Sequence, residues 1–310
     1  MREAWMIWFN NMIAAILPYV PKPIVGIFSR QYIAGETLDD AVREVKDLMS
    51  QGICATLDLL GEEVKEKEDS LKAVDVYKQI LNVIDQEKLD ANISVKPTHM
   101  GLKLDKEFCY NNIKILVEEA KKINNFVRID IEDSSCTDDT IEIYLRLRKE
   151  YSNVGTALQT YMRRIIDDVN HLIPHKANLR ICKGAYYWEK REVVYKDGEI
   201  VNDSFRYVLD KLLSNRCYVG IATHDEKLIW EGLKLIDQLK LKKDNYEFQM
   251  LLGVDPELRR IIVNDGHRLR VYVPFGKEWF AYSIRRLKEN PRMVNYIIKN
   301  TFRRILGRRQ

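Results

Sequence analysis

Short runs of apolar, largely β-branched residues alternate along this chain with longer stretches whose apolar positions recur every three or four residues. The short runs read as strands covered on both faces, and the longer stretches as amphipathic helices. The first four candidate strands are CATLDLLG at 54–61, NISVKP near 92–97, VRIDIE near 127–132 and VGTALQTY near 154–161. Four more are NLRICKG near 178–184, YVGIATH near 218–224, YEFQMLLG near 246–253 and RLRVYVPF near 268–275. Between them lie helical stretches such as TDDTIEIYLRLRKEY, SFRYVLDKLLSN and EKLIWEGLKLIDQL. Local signals agree with this pattern. Thr37 followed by Asp39 and Asp40 marks a helix start, Gly52 marks its end, and Asp255-Pro256-Glu257 supplies a cap, a first-turn proline and an early acid.

Eight strands separated by helices suit parallel βαβ units. Eight such units in roughly 250 residues is the size of a TIM-type (β/α)8 barrel. The expected fold class is therefore α/β, with one barrel and its C-terminal helices over 37–310 and an apolar, helical arm over 1–36. An open doubly wound sheet is the alternative, should the strand count be wrong by one or two. No GxGxxG follows the first strand and no GxxxxGK[ST] occurs, so the main signals for Rossmann and P-loop sites are missing.

Composition adds limits. With 46% hydrophobic and 31% charged residues, the chain can build a sizeable core. Its net charge of +4 is too small to suggest a nucleic-acid partner. The excess gathers at the end, where FRRILGRRQ carries four arginines and no acid. That end is either a solvated helix terminus or a patch resting on an anionic membrane surface. The run EEVKEKED reads as the solvated start of a helix. Five scattered cysteines without a CxxC pair point to a reducing, cytoplasmic compartment. Pro174 between His171 and His175 disrupts the helix a zinc site would need, so no metal is expected. The N-terminal stretch MIWFNNMIAAILPYVPKPIVGIF is apolar, yet Asn10, Asn11, Pro18, Pro21 and Pro23 interrupt it. It falls short of the roughly 20 residues a spanning helix requires and is read as a packing or membrane-touching arm.

In such a barrel the active site sits at the C-terminal ends of the strands. Lys96 ends the second candidate strand, Asp130 lies in the third, Gln159 late in the fourth, Arg180 and Lys183 in and just after the fifth, Thr223 and His224 at the end of the sixth, and Gln249 in the seventh. Any one of them could be a structural ion pair, but six strands aiming polar groups at one rim suggest a site. The last helix adds AYSIRRLKENP. At 100° per residue, Tyr282, Arg285, Arg286 and Glu289 share about a third of its circumference. Arg285 and Glu289 are either a surface ion pair or part of a double guanidinium clamp for a carboxylate.

The segments RICKGAYYWEKRE, IATHD, EFQMLLGV and RVYVPFGKEWFAYSIRRLKENP resemble, in this order, the signature segments of the proline dehydrogenase family. SVKPTHMGL, RIDIEDS and ALQTYMRR fit the same family, and the resemblance runs from about residue 37 to 292. Two departures are Cys182, where a branched aliphatic residue is usual, and Pro97 with His99 beside Lys96.

The resemblance implies a distorted (β/α)8 barrel with noncovalent FAD at the strand ends, oxidising L-proline to Δ1-pyrroline-5-carboxylate and passing electrons to a membrane quinone. It implies that Arg285 and Arg286 bind the proline carboxylate, with Glu289 orienting them. Lys96 and Asp130 would form a charged pair beside the substrate, and Tyr186, Leu251 and Tyr282 would pack around its ring. Ile131, Gln159, Arg180, Lys183, Gly184, Ala185, Thr223 and His224 would hold the flavin, with Arg180 near its reactive edge. Asp130 and Arg180 are the expected catalytic pair. Fused family members carry a second, aldehyde-oxidising domain. Here the chain stops at Gln310, so a separate pyrroline-5-carboxylate dehydrogenase is expected downstream. Cytoplasmic placement, with peripheral contact on the inner face of the cell membrane, accompanies the quinone. The alternative is a flavin barrel enzyme acting on hydroxyproline or another cyclic imino acid. A non-catalytic barrel would have lost site residues, and these are present.

Overall fold

In the computed structural model, which describes residues 25–26, 29, 31–186, 188–280 and 282–284, eight parallel strands follow one another around a closed barrel. The first half runs α1 (Leu38–Ser50), β1 (Cys54–Leu59), α2 (Lys67–Gln86), β2 (Ala91–Val95), α3 (Lys106–Lys122), β3 (Val127–Ile129), α4 (Thr137–Arg148) and β4 (Val154–Gln159). The second half runs α5 (Ile165–Leu172), β5 (Asn178–Cys182), α6 (Gly198–Ser214), β6 (Tyr218–Ala222), α7 (Glu226–Gln238), β7 (Tyr246–Leu251), α8 (Pro256–Asn264) and β8 (Leu269–Phe275). Closure is the pairing of β1 with β8, from Cys54 opposite Arg270 to Leu59 opposite Phe275, which removes the open-sheet alternative.

The alternation within each strand sorts the side chains. One set, including Ile93, Val95, Val127, Ile129, Val219, Ile221, Val271 and Val273, is fully buried in the main apolar core. Tyr77, Ile80, Ile113, Tyr144 and Phe205 from the helices belong to the same core. The opposite set, on the barrel's inner side, is polar or small. Barrels of this type are commonly filled by aliphatic layers, whereas this one is filled by paired charges. Toward the N-terminal end, Arg270 donates to both Glu247 oxygens at 2.9 and 3.1 Å and to the Ala55 carbonyl at 2.6 Å. Arg128 donates to the Thr156 and Asn178 carbonyls at 2.8 and 2.9 Å. Two glycines make room for these long side chains. A Cβ on Gly155 would collide with the Arg128 guanidinium, and one on Gly220 with the Gln249 amide.

Helix starts follow the capping chemistry expected. Thr37 and Asp40 form a reciprocal capping box before α1, and Asp255 caps α8 with Pro256 in its first turn. The run EEVKEKED leads into α2, which begins at Lys67 with Glu68 and Asp69 in its first turn. Strands are shorter than their apolar runs: β3 has three residues and ends at Ile129, so Asp130 lies just beyond it. The described part of the arm packs on the C-terminal rim, where Val25, Tyr32 and Ile33 cluster with Leu60 and Tyr282. Ala34 N–H donates to the Pro274 carbonyl at 3.0 Å, and Gly276 N–H to the Gly35 carbonyl at 2.9 Å. Among the described residues no helix is long and apolar enough to cross a membrane.

Candidate active site

A cleft of about 690 Å³ opens at the C-terminal ends of the strands. Every sequence-selected residue within the described part of the chain lines it. From the early strands come Lys96, Asp130, Ile131 and Gln159. From β5 and its following turn come Arg180, Lys183, Gly184, Ala185 and Tyr186, and from the late elements Thr223, His224, Leu251 and Tyr282. Arg285, Arg286 and Glu289 lie outside the described residues.

The floor of the cleft is a buried charge cluster. Lys96 Nζ donates to Asp58 Oδ1 at 2.6 Å, with the lysine side chain 8% exposed and the aspartate fully buried. This corrects the expected pairing of Lys96 with Asp130. Asp130 instead accepts from Arg180 Nη1 at 2.6 Å, from Tyr272 Oη at 2.6 Å and from Ser94 Oγ. The reason is geometric: Lys96 and Asp130 stand just past the ends of neighbouring strands, where Asp58 on one side and Arg180 on the other offer closer partners. The charges still act on one another. Burial opposes the Lys96 ammonium, but Asp58 and Asp130 outweigh it and lift that group above the usual lysine range. Burial likewise opposes the Asp130 carboxylate, and Arg180 with Lys96 holds it below its usual value. Burial lifts the Asp58 carboxyl, with Lys96 working against that lift.

Arg180 is fixed on three sides. Besides Asp130, its Nε–H donates to Gln249 Oε1 at 2.6 Å, and its guanidinium lies 5.2 Å from the centre of the Tyr272 ring. Only 8% of the residue is exposed, and that part faces the cleft.

The β5 turn is built for close backbone approach. Gly184 has φ +140°, and a Cβ there would meet the Tyr161 ring at 2.5 Å. Gln159 ties this turn to the end of β3. Its Oε1 accepts from Ala185 N–H at 2.9 Å, and its Nε2 donates to the Glu132 carbonyl at 2.8 Å. Lys183 pairs with Asp225 at 2.7 Å, and Thr223 Oγ1 accepts from Asp225 N–H at 3.1 Å. His224 Nε2 accepts from Leu251 N–H at 2.9 Å. That bond requires the neutral imidazole with its proton on Nδ1.

Asp58, Tyr272 and Glu132 escaped the sequence reading. Asp58 and Tyr272 lie inside strands; Asp58 shows its role only when β1 pairs with β2, and Tyr272 only when the barrel brings β8 across from Asp130. Glu132, two residues after Asp130, is 4% exposed and accepts from Thr98 N–H at 2.8 Å and Thr98 Oγ1 at 2.6 Å. Burial pushes its carboxyl up to about 7 despite those bonds. His99 nearby is held down to about 4 by burial and by Lys96. The polar spacing of RIDIED offered a signal for Glu132; nothing local offered one for Asp58.

Comparison with known proteins is consistent with this geometry. The proline dehydrogenase family model matches residues 41–297. Proline dehydrogenase 1 of Bacillus subtilis subsp. natto is 33% identical over 276 residues, covering 89% of this chain and 91% of that one. Proline dehydrogenase of Deinococcus radiodurans is 30% identical over 298 residues, covering 92% and 96%. Among solved structures, proline utilization A (PutA) from Bdellovibrio bacteriovorus, inactivated by N-propargylglycine, superposes with a TM-score of 0.79 at 24% identity. That match covers 85% of this chain and 32% of the other, and it shows the shared barrel.

Proposed function

Because the chain belongs to the proline dehydrogenase family, we propose that its cleft oxidises L-proline to Δ1-pyrroline-5-carboxylate with bound FAD. The observation that carries this reading is the cleft floor, where two buried cations, Lys96 and Arg180, are each held by an aspartate beneath one opening.

The residues present fit a flavin. Arg180 and Lys183 supply positive charge, Ile131 and Met250 supply apolar surface, and Gly184 lets backbone come close. Gln159, Arg180, the Lys183-Gly184-Ala185 turn, Ile131, Thr223 and His224 would hold it. FAD, when bound, supplies the two-electron chemistry that the side chains lack. The chain's own task is position and charge. Lys96 and Arg180 disfavour an ammonium on the substrate, so the ring nitrogen is held neutral with its lone pair available. Asp58 and Asp130 keep those cations fixed. Arg285 and Arg286 receive the carboxylate through planar guanidinium forks, oriented by Glu289. Tyr186, Leu251 and Tyr282 exclude water around the ring. Fixed placement of this kind supplies on the order of several kcal/mol of rate advantage, because the translational and rotational entropy is lost on binding and not in the reacting step.

The electrons pass to a membrane quinone, and the product goes to a pyrroline-5-carboxylate dehydrogenase activity. Peripheral membrane contact through the apolar N-terminal stretch and the arginine-rich end serves that transfer. An anaerobic absorbance titration with L-proline tests the central reading. Bleaching of an oxidised-flavin spectrum with pyrroline-5-carboxylate formed is the expected result. A yellow protein bleached only by hydroxyproline would move the substrate, and a protein that takes up no FAD would overturn the reading.

A further inference from the structure

A continuous run of hydrogen bonds crosses the inside of the barrel from its N-terminal end to the cleft. Arg270 Nε–H donates to both oxygens of Glu247, and Arg268 approaches Glu247 Oε2 at 3.4 Å. Glu247 Oε1 then accepts from Gln249 Nε2 at 2.6 Å, and Gln249 Oε1 accepts from Arg180 Nε–H at 2.6 Å. Arg180 finally donates to Asp130. All of these residues except Arg268 are buried.

The direction of each bond is forced. Arg270 can only donate, so Glu247 must accept. Burial opposes the Glu247 carboxylate, but Arg270 outweighs it and keeps the group ionised. An ionised carboxylate can only accept, so the Gln249 amide must turn its NH2 toward Glu247. Its oxygen then has one place left to point, which is Arg180. An isolated glutamine amide could flip and present NH2 to a guanidinium; this one is denied that choice. Gly220 leaves the space in which the amide lies.

We propose that Gln249 and Glu247 are positioning residues that aim the Arg180 guanidinium at the cleft. The inference rests on the flavin-dependent reading for its catalytic consequence and on geometry alone for the aiming itself. Asp130 holds one end of the guanidinium and Gln249 the other, so that its rotation is fixed from two directions. The acceptor chain, and not the bulk of the side chains, is what matters.

Two variants of the full-length chain test this. Gln249→Met keeps the volume but removes both hydrogen bonds. The double variant Glu247→Gln with Gln249→Glu exchanges amide and carboxylate. In it, Arg270 still donates to residue 247, the bond between 247 and 249 reverses so that the residue 247 amide donates to the residue 249 carboxylate, and Arg180 still meets an acceptor. The primary readout is the Arg180 Nε–H signal in a ¹⁵N spectrum, identified by its loss in Arg180→Lys, and its exchange with solvent. This measurement needs neither FAD nor proline. In Gln249→Met the exchange is expected to accelerate at least ~10-fold. With flavin bound, kcat for proline is expected to fall about tenfold with KM within about twofold, and the flavin potential to move more negative. The exchanged pair is expected to restore slow Arg180 exchange. Unchanged exchange in Gln249→Met, or a folded exchanged pair that fails to restore it, overturns the proposal. Should Gln249→Met not fold, the exchanged pair decides. A chain that takes up no flavin and leaves proline unoxidised would defeat the functional reading while the exchange data still judge the aiming.

Discussion

Removing the Lys96 ammonium leaves Asp58 without its cation at a position with no solvent exposure. Breaking a buried ion pair in this way costs roughly 3–5 kcal/mol of stability. The cost in Lys96→Met has an upper limit, because the folded chain can always protonate Asp58 instead. Its carboxyl starts from 3.8 in the unfolded chain. At pH 8, keeping the acid neutral costs about 6 kcal/mol, and at pH 5.5 only about 2 kcal/mol. The sign follows from the folded state holding the proton more tightly than the unfolded one. The destabilisation is present at high pH and is relieved as pH falls through the folded-state value. Urea unfolding of wild type and Lys96→Met at both pH values measures the difference. The loss is expected to be about 3–5 kcal/mol at pH 8 and no more than about 2 kcal/mol at pH 5.5, apart from small packing changes. Adding Asp58→Asn should remove the pH dependence and recover most of the pH 8 loss. Equal losses at the two pH values, or a double variant as unstable as the single at pH 8, would refute the assignment of Asp58 as the lysine's partner.

Asp130→Asn removes the carboxylate that fixes Arg180 and accepts from Tyr272. Steady-state assays should show kcat/KM for proline reduced by about 10²–10³-fold with the protein still folded. Glu132→Gln abolishes a buried acid held at about 7 against an ordinary 4.5. Because that raised value makes the wild type lose stability as pH climbs from 4.5 to 7, the variant should gain up to about 3 kcal/mol on the wild type between pH 5 and 8. Urea midpoints across that range check it, and parallel curves for the two proteins would contradict it. Gly184→Ala places a methyl group against the Tyr161 ring at a φ of +140°. A stability loss of about 1–3 kcal/mol and weakened FAD uptake are expected, measured by unfolding and by flavin fluorescence quenching.

The barrel was legible because its outer face obeys simple rules. All eight apolar runs became strands, and VRIDIE did so over Val127–Ile129 alone. The cleft residues were legible because parallel barrels put chemistry at strand ends, and Lys96, Lys183 and His224 stand there. Partners across the barrel were not. Asp58 reaches Lys96 across 38 positions and Tyr272 reaches Asp130 across 142. The first pair exists only once β1 and β2 are in register and the second only after the sheet has closed, and no local spacing encodes which of two aspartates a lysine will choose. Glu247 and Arg270 were hidden for a related reason: inside YEFQMLLG and RLRVYVPF they read as interruptions of an apolar run. The interior of this barrel uses those interruptions as its filling.

That filling has a consequence for the chain as it leaves the ribosome. Asp130 and Glu247 are synthesised before Tyr272 and Arg270, the groups that bind them from β8. Until β8 emerges, a chain that already carries seven strands lacks both partners, and desolvating the acids without them is unfavourable. Nascent chains released before about residue 270 should therefore stay open and protease-sensitive, even with seven strands already made. Completion of the last barrel strand would then act as a checkpoint, admitting to the folded pool only chains whose charged cleft floor is already assembled.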